Sequence, residues 1–386
     1  MTQTTARQDG RPRQECLGPK LYFARRPQPI HTRQLYAVDV HFTSVTQELS
    51  PGRIEPSSPH SCPMSIIVIG SLNMDLVVRC SRLPAAGETV PGEGTAQIPG
   101  GKGANQATAA ALLGAHTSMI GRAGNDAFGS TLLQSLRTAG VDTSLVQTSD
   151  KAPTGLALIT VETSGQNTIV VEAGANGTLS SDDIRQFAPQ ISTATLLLLQ
   201  MEVPLSAVQA AITIARNHNV PVILNPAPVP ASATLPEELW KTDWFCPNET
   251  EAAALAGIEV NSAATARAAA MKLAHQCSGS VLVTLGSRGV LLATTRDCLH
   301  AAPFQIQPVD ATAAGDAFVA AFAVSIAAGG KPHDAVRFAS AAGAIAASRA
   351  GASTSLPNRR DVELLLAQQP AAGQLIPAES LDFWNP

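Results

Sequence analysis

Residues 195–225 read TLLLLQMEVPLSAVQAAITIARNHNVPVILN, and this stretch decides the fold class. Thr195 to Gln200 is a short, continuous apolar run, the pattern of a strand buried on both faces. Ser206 to His218 reads as a helix and Val222 to Asn225 as a second strand. Strand, crossover helix and strand form the unit from which parallel sheets are wound.

The same alternation extends in both directions. Upstream, Ser65 to Gly70 (SIIVIG) is another strand of the doubly buried kind, Ala104 to Leu113 a helix, and a further helix follows GNDAFG (124–129) to about Ala139. Downstream come a strand at Trp244 to Cys246, helices at Thr250 to Ala256 and Ala263 to His275, and a strand at Val281 to Thr284. Gly289 to Thr294 and His300 to Gln307 read as antiparallel strands, ahead of helices at Gly315 to Ala328 and His333 to Ala350. The expected class is α/β, with a central, mostly parallel sheet covered on both faces. Two polar hairpins interrupt it: Leu76 to Val78 with Thr89 to Val90 and a Gly92-Glu93-Gly94 turn, and Gly155 to Val161 with Asn167 to Val171. In such sheets ligands collect at the carboxyl ends of the strands.

Composition narrows the function. With 45% apolar and 15% charged residues the chain suits a compact globular protein. A net charge of −4 offers no general attraction for nucleic acid or anionic membrane, so phosphate binding needs a local site. Cys16, Cys62, Cys80, Cys246, Cys277 and Cys298 are scattered without C-x-x-C spacing, which fits a reduced, cytoplasmic setting. The longest apolar run, Ala317 to Ala328, falls short of the roughly 20 residues of a spanning helix. Residues 1–63 are polar, Pro-rich and without periodicity; they read as an unstructured extension, or as sequence ahead of a native start at Met64. The folded domain is expected over 64–366, with 367–386 as a C-terminal tail.

Six segments can carry chemistry, each with a plainer alternative, which for Glu202 is a surface carboxylate. Asp310-Ala311-Thr312-Ala313-Ala314-Gly315-Asp316 opens a long apolar helix. Small residues there let backbone N–H groups converge where the helix dipole favours an anion. Asp316 is then either a general base for a substrate hydroxyl or only a favourable charge in the first turn. GSLNMD (70–75) offers Asn73 and Asp75 to a polyhydroxylated ligand, or Asx-turn chemistry after a strand. PGGKGANQA (99–107) gives close backbone approach with Lys102 and Asn105, or a glycine-rich turn. It is no Walker A loop, and no dinucleotide fingerprint is present. Gln200-Met201-Glu202, Pro247-Asn248-Glu249-Thr250-Glu251 and Thr284-Leu285-Gly286-Ser287-Arg288-Gly289 each follow a strand. Asn248 and Glu251 form a helix capping box or order water around a magnesium-bound triphosphate, and the glycine-bearing loop is a plain turn or lies along a nucleotide.

Taken together and in order, GSLNMD, GGKGANQ, QME, NPAP (225–228), PNETE, TLGSRG and DATAAGD resemble the ribokinase-like branch of the PfkB sugar kinase family, over roughly Met64 to Pro357. The resemblance implies a three-layer sandwich with a small β-sheet lid, which in that family also pairs two subunits as a homodimer. It implies ATP-dependent phosphorylation of D-ribose at O5, with other acceptors such as 2-deoxyribose or a nucleoside as the alternative, and a non-catalytic sugar-binding regulator as a further one. Carried over, Asn73, Asp75, Gly101, Lys102, Gly103, Asn105 and Glu202 bind the sugar. Asn248, Thr284, Leu285, Gly286, Ser287, Arg288, Gly289 and Gly315 contact ATP, with Glu251 near Mg²⁺. Asp316 is the base, and the N–H groups of Ala314, Gly315 and Asp316 form an anion hole. A potassium ion beside it matches Asp310, Thr312, Ala346, Arg349, Gly351 and Ser355. Ser340 departs from the pattern: related kinases often place a larger polar residue at this point of the adenine pocket.

Overall fold

In the computed structural model of the chain, residues 64–378 and 383–384 are described; the extension expected over 1–63 lies outside them. The chain opens with β1 (Ser65–Ile69), β2 (Asn73–Cys80), β3 (Gly92–Gly100), α1 (Lys102–Leu112), β4 (His116–Gly124), α2 (Ala127–Thr138) and β5 (Val146–Ser149). It continues through β6 (Gly155–Glu162), β7 (Asn167–Glu172), α3 (Ser181–Gln186), α4 (Ala188–Ile191), β8 (Leu196–Leu199), α5 (Leu205–Asn217) and β9 (Val222–Leu224). Then come β10 (Trp244–Phe245), α6 (Glu249–Ala256), α7 (Ala263–Gln276), β11 (Ser280–Thr284), β12 (Val290–Ala293) and β13 (Cys298–Ala301). α8 (Ala314–Ala327), α9 (Pro332–Ala347), α10 (Arg359–Gln368) and β14 (Leu375–Pro377) complete it.

Ten strands form one sheet in the order β14-β13-β12-β11-β10-β9-β8-β1-β4-β5. From β5 to β11 the pairs are parallel, and β12, β13 and β14 close the far edge antiparallel. The alternation in β1 explains the layering. Ile66 and Val68 enter a core shared with α1, α8 and α9, whereas Ile67 and Ile69 enter a second core shared with α5, α6 and α7. Helices therefore cover both faces, which is the three-layer α/β sandwich expected. No helix among the described residues is long and apolar enough to cross a membrane.

A second sheet of four strands, β3-β2-β6-β7, stands apart from the first. Its hairpins β2–β3 and β6–β7 are antiparallel, and β2 and β6 join them in parallel. Asn176 ties this sheet to the body: Leu72 N–H donates to its Oδ1 at 2.9 Å, and its Nδ2 donates to the Leu72 carbonyl at 3.0 Å and to Asn73 Oδ1 at 2.7 Å.

Several local expectations are corrected. Thr89 and Val90 are not strand, and Gly92-Glu93-Gly94 begins β3 rather than forming the turn. Sheet pairing after residue 300 stops at Ala301 instead of reaching Gln307, so the run before Asp316 is irregular backbone. β4 (HTSMIGRAG) and β5 (VQTS) are additional strands, hidden by polar composition that pattern reading takes for loop. Leu375–Pro377, in the span read as a tail, pairs with β13 as the edge strand of the large sheet.

Candidate active site

The site assembles where β1, β8 and β9 end and α1 and α8 begin. Gly101 holds φ at +90°, and a Cβ there would stand 2.8 Å from the Asn73 nitrogen. A Cβ on Gly103 would stand 2.5 Å from the Ser71 nitrogen. Only glycine lets the loop before α1 press against the start of β2 in this way. The N-terminus of α1 is then pinned by Glu202, whose Oε2 accepts from Ser71 Oγ at 2.5 Å and from the Lys102 N–H at 3.0 Å.

Asp316 lies in the first turn of α8 and is buried. Both its oxygens are held by amides: Asn105 Nδ2 donates to Oδ2 and Gln106 Nε2 to Oδ1, each at 2.9 Å. Gln106 is itself positioned, receiving Gln200 Nε2 on its Oε1 at 2.5 Å and donating to Asn225 Oδ1 at 3.2 Å, while Asn225 Nδ2 donates to the Cys246 carbonyl at 2.9 Å. The chain of amides thus runs from β8 and β9 to the carboxylate. The Asn105 Oδ1 is buried and has no hydrogen-bond partner among the described residues, which leaves it as an acceptor for a ligand hydroxyl.

Charge is concentrated here. Burial pushes the Asp316 carboxyl up, opposed by Lys102 and by the two amides. Asp75 is pushed up to about 7, by burial first and then by Glu202 and Asp316. Burial acts to lower Lys102, but Asp316, Glu202 and Glu251 outweigh it and hold the ammonium above its ordinary range. One cation among several carboxylates favours a proton acceptor with a raised, usable affinity.

The N-terminus of α8 is open on its outer side, since a Cβ on Gly315 would meet nothing within 4 Å. The Ala317 N–H bonds back to the Ala313 carbonyl at 2.9 Å, so Gly315 and Asp316 precede the helical ladder. The Ala314 N–H already donates to the Ala311 carbonyl at 3.1 Å. Of the expected anion-hole donors, Gly315 and Asp316 are thus the better placed.

Where the nucleotide is expected the capping box is present: Asn248 N–H donates to Glu251 Oε2 and Glu251 N–H to Asn248 Oδ1, both at 2.8 Å. Burial raises Glu251, and its electrostatic partners include Lys102 and Asp316. The cap therefore sits within electrostatic reach of the base. An isolated bridge joins Asn248 to Thr284, setting the PNETE and TLGSRG segments side by side. Gly286 and Ser287 are exposed, and Gly289 adopts φ of +92° against the Ala301 carbonyl. Arg288 pairs with Glu249. The Ser340 Oγ on α9 is shielded and has no partner among the described residues.

Asp310 gathers the loop expected to hold potassium. Its Oδ1 accepts from Thr312 N–H at 3.0 Å and Thr312 Oγ1 at 2.5 Å, and its Oδ2 from Gly351 N–H at 3.0 Å. Burial acts to raise this carboxyl, but the bonds to Thr312 and Gly351 and the charge of Arg79 hold it below its ordinary value. Arg349 follows Ala346 in a turn, its N–H donating to the Ala346 carbonyl at 3.1 Å, and Ser355 Oγ donates to the Ala352 carbonyl at 2.8 Å. An anionic carboxylate is a hard-oxygen ligand of the kind that suits a weakly charged cation. No group of three or more His, Cys, Asp or Glu that could hold a metal ion occurs among the described residues. A magnesium ion beside Glu251 can instead draw ligands from water and nucleotide phosphates.

Sequence reasoning gave no separate role to Gln106, Gln200 or Asn225, although each lay within a quoted motif. The available signal was two consecutive amides, Asn105-Gln106, entering a helix that is otherwise alanine-rich on its buried side.

Several known proteins are similar to this chain. Residues 64–359 match the model of the pfkB family carbohydrate kinases. A ribokinase of Haemophilus influenzae is 38% identical over 297 residues, covering 77% of this chain and 96% of the relative. A deoxyribokinase of Salmonella typhi is 36% identical over 260 residues, covering 67% of this chain and 85% of the relative. The structure of an Arabidopsis thaliana ribokinase complexed with ribose and ATP superposes with a TM-score of 0.72 at 34% identity, covering 79% of this chain and 99% of that one.

Proposed function

The chain belongs to the pfkB family of carbohydrate kinases, and from that premise we propose that it transfers the γ-phosphoryl group of ATP to O5 of D-ribose, giving ribose 5-phosphate. The observation that carries the proposal is Asp316, buried at the start of α8 with both oxygens held by amides and Lys102 as its nearby counter-charge.

Asp316 takes the proton of the attacking hydroxyl. Asn73, Asp75, Lys102 and Asn105 orient the sugar, with Gly101 and Gly103 allowing its close approach and Glu202 bracing the loop. Gly315 and Asp316 offer N–H groups to the transferring phosphoryl oxygens. The transition state is loose, so positioning and charge stabilisation supply most of the rate. Asn248 and the Thr284–Gly289 loop receive the nucleotide. When bound, Mg²⁺ near Glu251 neutralises phosphate charge, and K⁺ at the Asp310–Ser355 loops steadies the backbone around the anion hole.

The exposed Leu158, Ile169, Val170 and Val171 of the small sheet support a homodimer paired through it. The buried free thiols Cys80, Cys246 and Cys277 support a cytoplasmic setting. The deoxyribokinase relative favours one second reading, 2-deoxyribose as acceptor.

A coupled ADP-release assay over a panel of sugars, run in potassium and in sodium, tests the proposal. Ribose preference with potassium activation is expected. A higher kcat/KM for 2-deoxyribose overturns the acceptor, and no ADP release with any sugar overturns the enzymatic reading.

A further inference from the structure

Phe383 and Trp384 lie beyond residue 359, where the family match ends, yet Trp384 packs onto the loop proposed to receive ATP and Phe383 onto the histidine that holds that loop. The Trp384 ring covers the guanidinium of Arg288, with Cζ 4.1 Å from the ring centroid. Phe383 is buried and stacks on His300 at 4.2 Å with ring planes 9° apart. His300 in turn donates from Nε2 to the Arg288 carbonyl at 2.7 Å, and the Arg288 guanidinium pairs with Glu249, the residue following Asn248.

Arg288 is therefore gripped at both ends. Its carbonyl is held by a histidine that Phe383 covers, and its guanidinium is sandwiched between Glu249 and Trp384. A cation over an indole face is attracted by the ring quadrupole, and the planar guanidinium also stacks there. The loop itself is short, exposed at Gly286 and Ser287, and turns through left-handed glycines at 286 and 289. Leu285 roots the loop in the core, but its exposed tip at Gly286 and Ser287 has little packing of its own to fix it. The Arg288 Nε, shielded from solvent, has no hydrogen-bond partner among the described residues, so the gripped side chain retains a donor for a ligand.

We propose that the C-terminal aromatic pair Phe383–Trp384 positions the Thr284–Gly289 loop for the nucleotide, acting through Arg288 and His300. The inference rests on this loop being the ATP subsite. Ordering the loop in advance lowers the entropy lost when nucleotide binds, so the pair contributes to nucleotide affinity without touching the sugar or Asp316.

The test uses the full chain with Trp384→Ala, Phe383→Ala, the double variant and the conservative Trp384→Phe. ADP affinity is measured by calorimetry without sugar, and KM is measured separately for ATP and ribose. The expected result is a three- to tenfold weaker ADP Kd and higher ATP KM in the alanine variants. The ribose KM and kcat should stay within twofold, and Trp384→Phe should remain close to wild type. Unchanged ADP affinity, or equal increases in both KM values, overturns the proposal.

Fluorescence gives a second readout that does not depend on the alanine variants folding. The chain has three tryptophans, and an ADP-induced change in emission should be present in the wild type and lost in Trp384→Phe. Its persistence overturns the proposal. If ADP binding shows the expected split while ribose is not phosphorylated, the positioning role stands and the acceptor assignment alone falls.

Discussion

Gln106 donates its Nε2–H to Oδ1 of Asp316 at 2.9 Å, fixing one oxygen of the candidate base from a helix more than two hundred residues earlier in the chain. With Asn105 on the other oxygen, the carboxylate is oriented before any substrate arrives. That orientation separates what proton transfer, electrostatics and packing each contribute.

Asp316→Asn removes the proton acceptor and keeps the shape. The kcat for ribose phosphorylation should fall by about 10² to 10⁴-fold, with ADP binding and the melting temperature near wild type. Wild-type turnover in a folded Asp316→Asn protein excludes Asp316 as the base.

Gln106→Glu exchanges a donor for a like charge beside Asp316. Amide donation opposes the upward push of burial on this carboxyl, so its loss raises the proton affinity further. The acidic limb of the kcat/KM profile should move to higher pH, with activity recovering as the pH is raised. A profile that keeps its position and only loses height shows that Gln106 serves packing alone.

Asp75 links the empty protein's stability to pH. Its folded value, about 7, lies above the ordinary aspartate value of 3.8, so between these values the folded state binds more protons than the unfolded one. The contribution is present below about pH 4 and is lost as pH rises toward 7. His300, lowered by burial, acts in the opposite sense, losing stability as pH falls below its unfolded value. The comparison of Asp75→Asn with wild type isolates the carboxylate. The variant should melt higher by several degrees at pH 8 without sugar, and the gap should shrink toward pH 4. Ribose affinity should fall in the same variant.

Gly103→Ala tests the close approach of α1 to β2. The new Cβ would stand 2.5 Å from the Ser71 nitrogen and 2.6 Å from the Gly70 carbonyl carbon, both backbone atoms that cannot turn aside. Chemical denaturation should show a loss of roughly 1–3 kcal/mol, together with weaker ribose binding. An unchanged midpoint and unchanged ribose KM rule out the tight junction.

The layered sheet was legible because LLLL (196–199) and IIVI (66–69) are short, unbroken apolar runs, the pattern of strands covered on both faces. β4 escaped because His116, Thr117, Ser118 and Arg122 break its pattern while the parallel partners β1 and β5 enforce the strand. Asp316 stood out from its place after small residues. Gln106 did not, because an amide's role depends on what lies across from it, and Asp316 and Gln200 are each more than ninety residues away in sequence. The Phe383–Trp384 contact with Arg288 and His300 has the same origin: aromatic residues near the end of a chain carry no local sign of the loop they cover.

The small sheet is strung from the body on four stretches of backbone, at residues 70–72, 101, 150–154 and 173. Asn176 staples the first of these in place, and the Thr154 N–H and Oγ1 donate to Asp126, which caps α2, at 2.8 and 2.7 Å in the third. A platform suspended in this way can rock but cannot swing free. It should melt with the main sheet in one cooperative step, because unfolding the body would cut all four of its tethers at once.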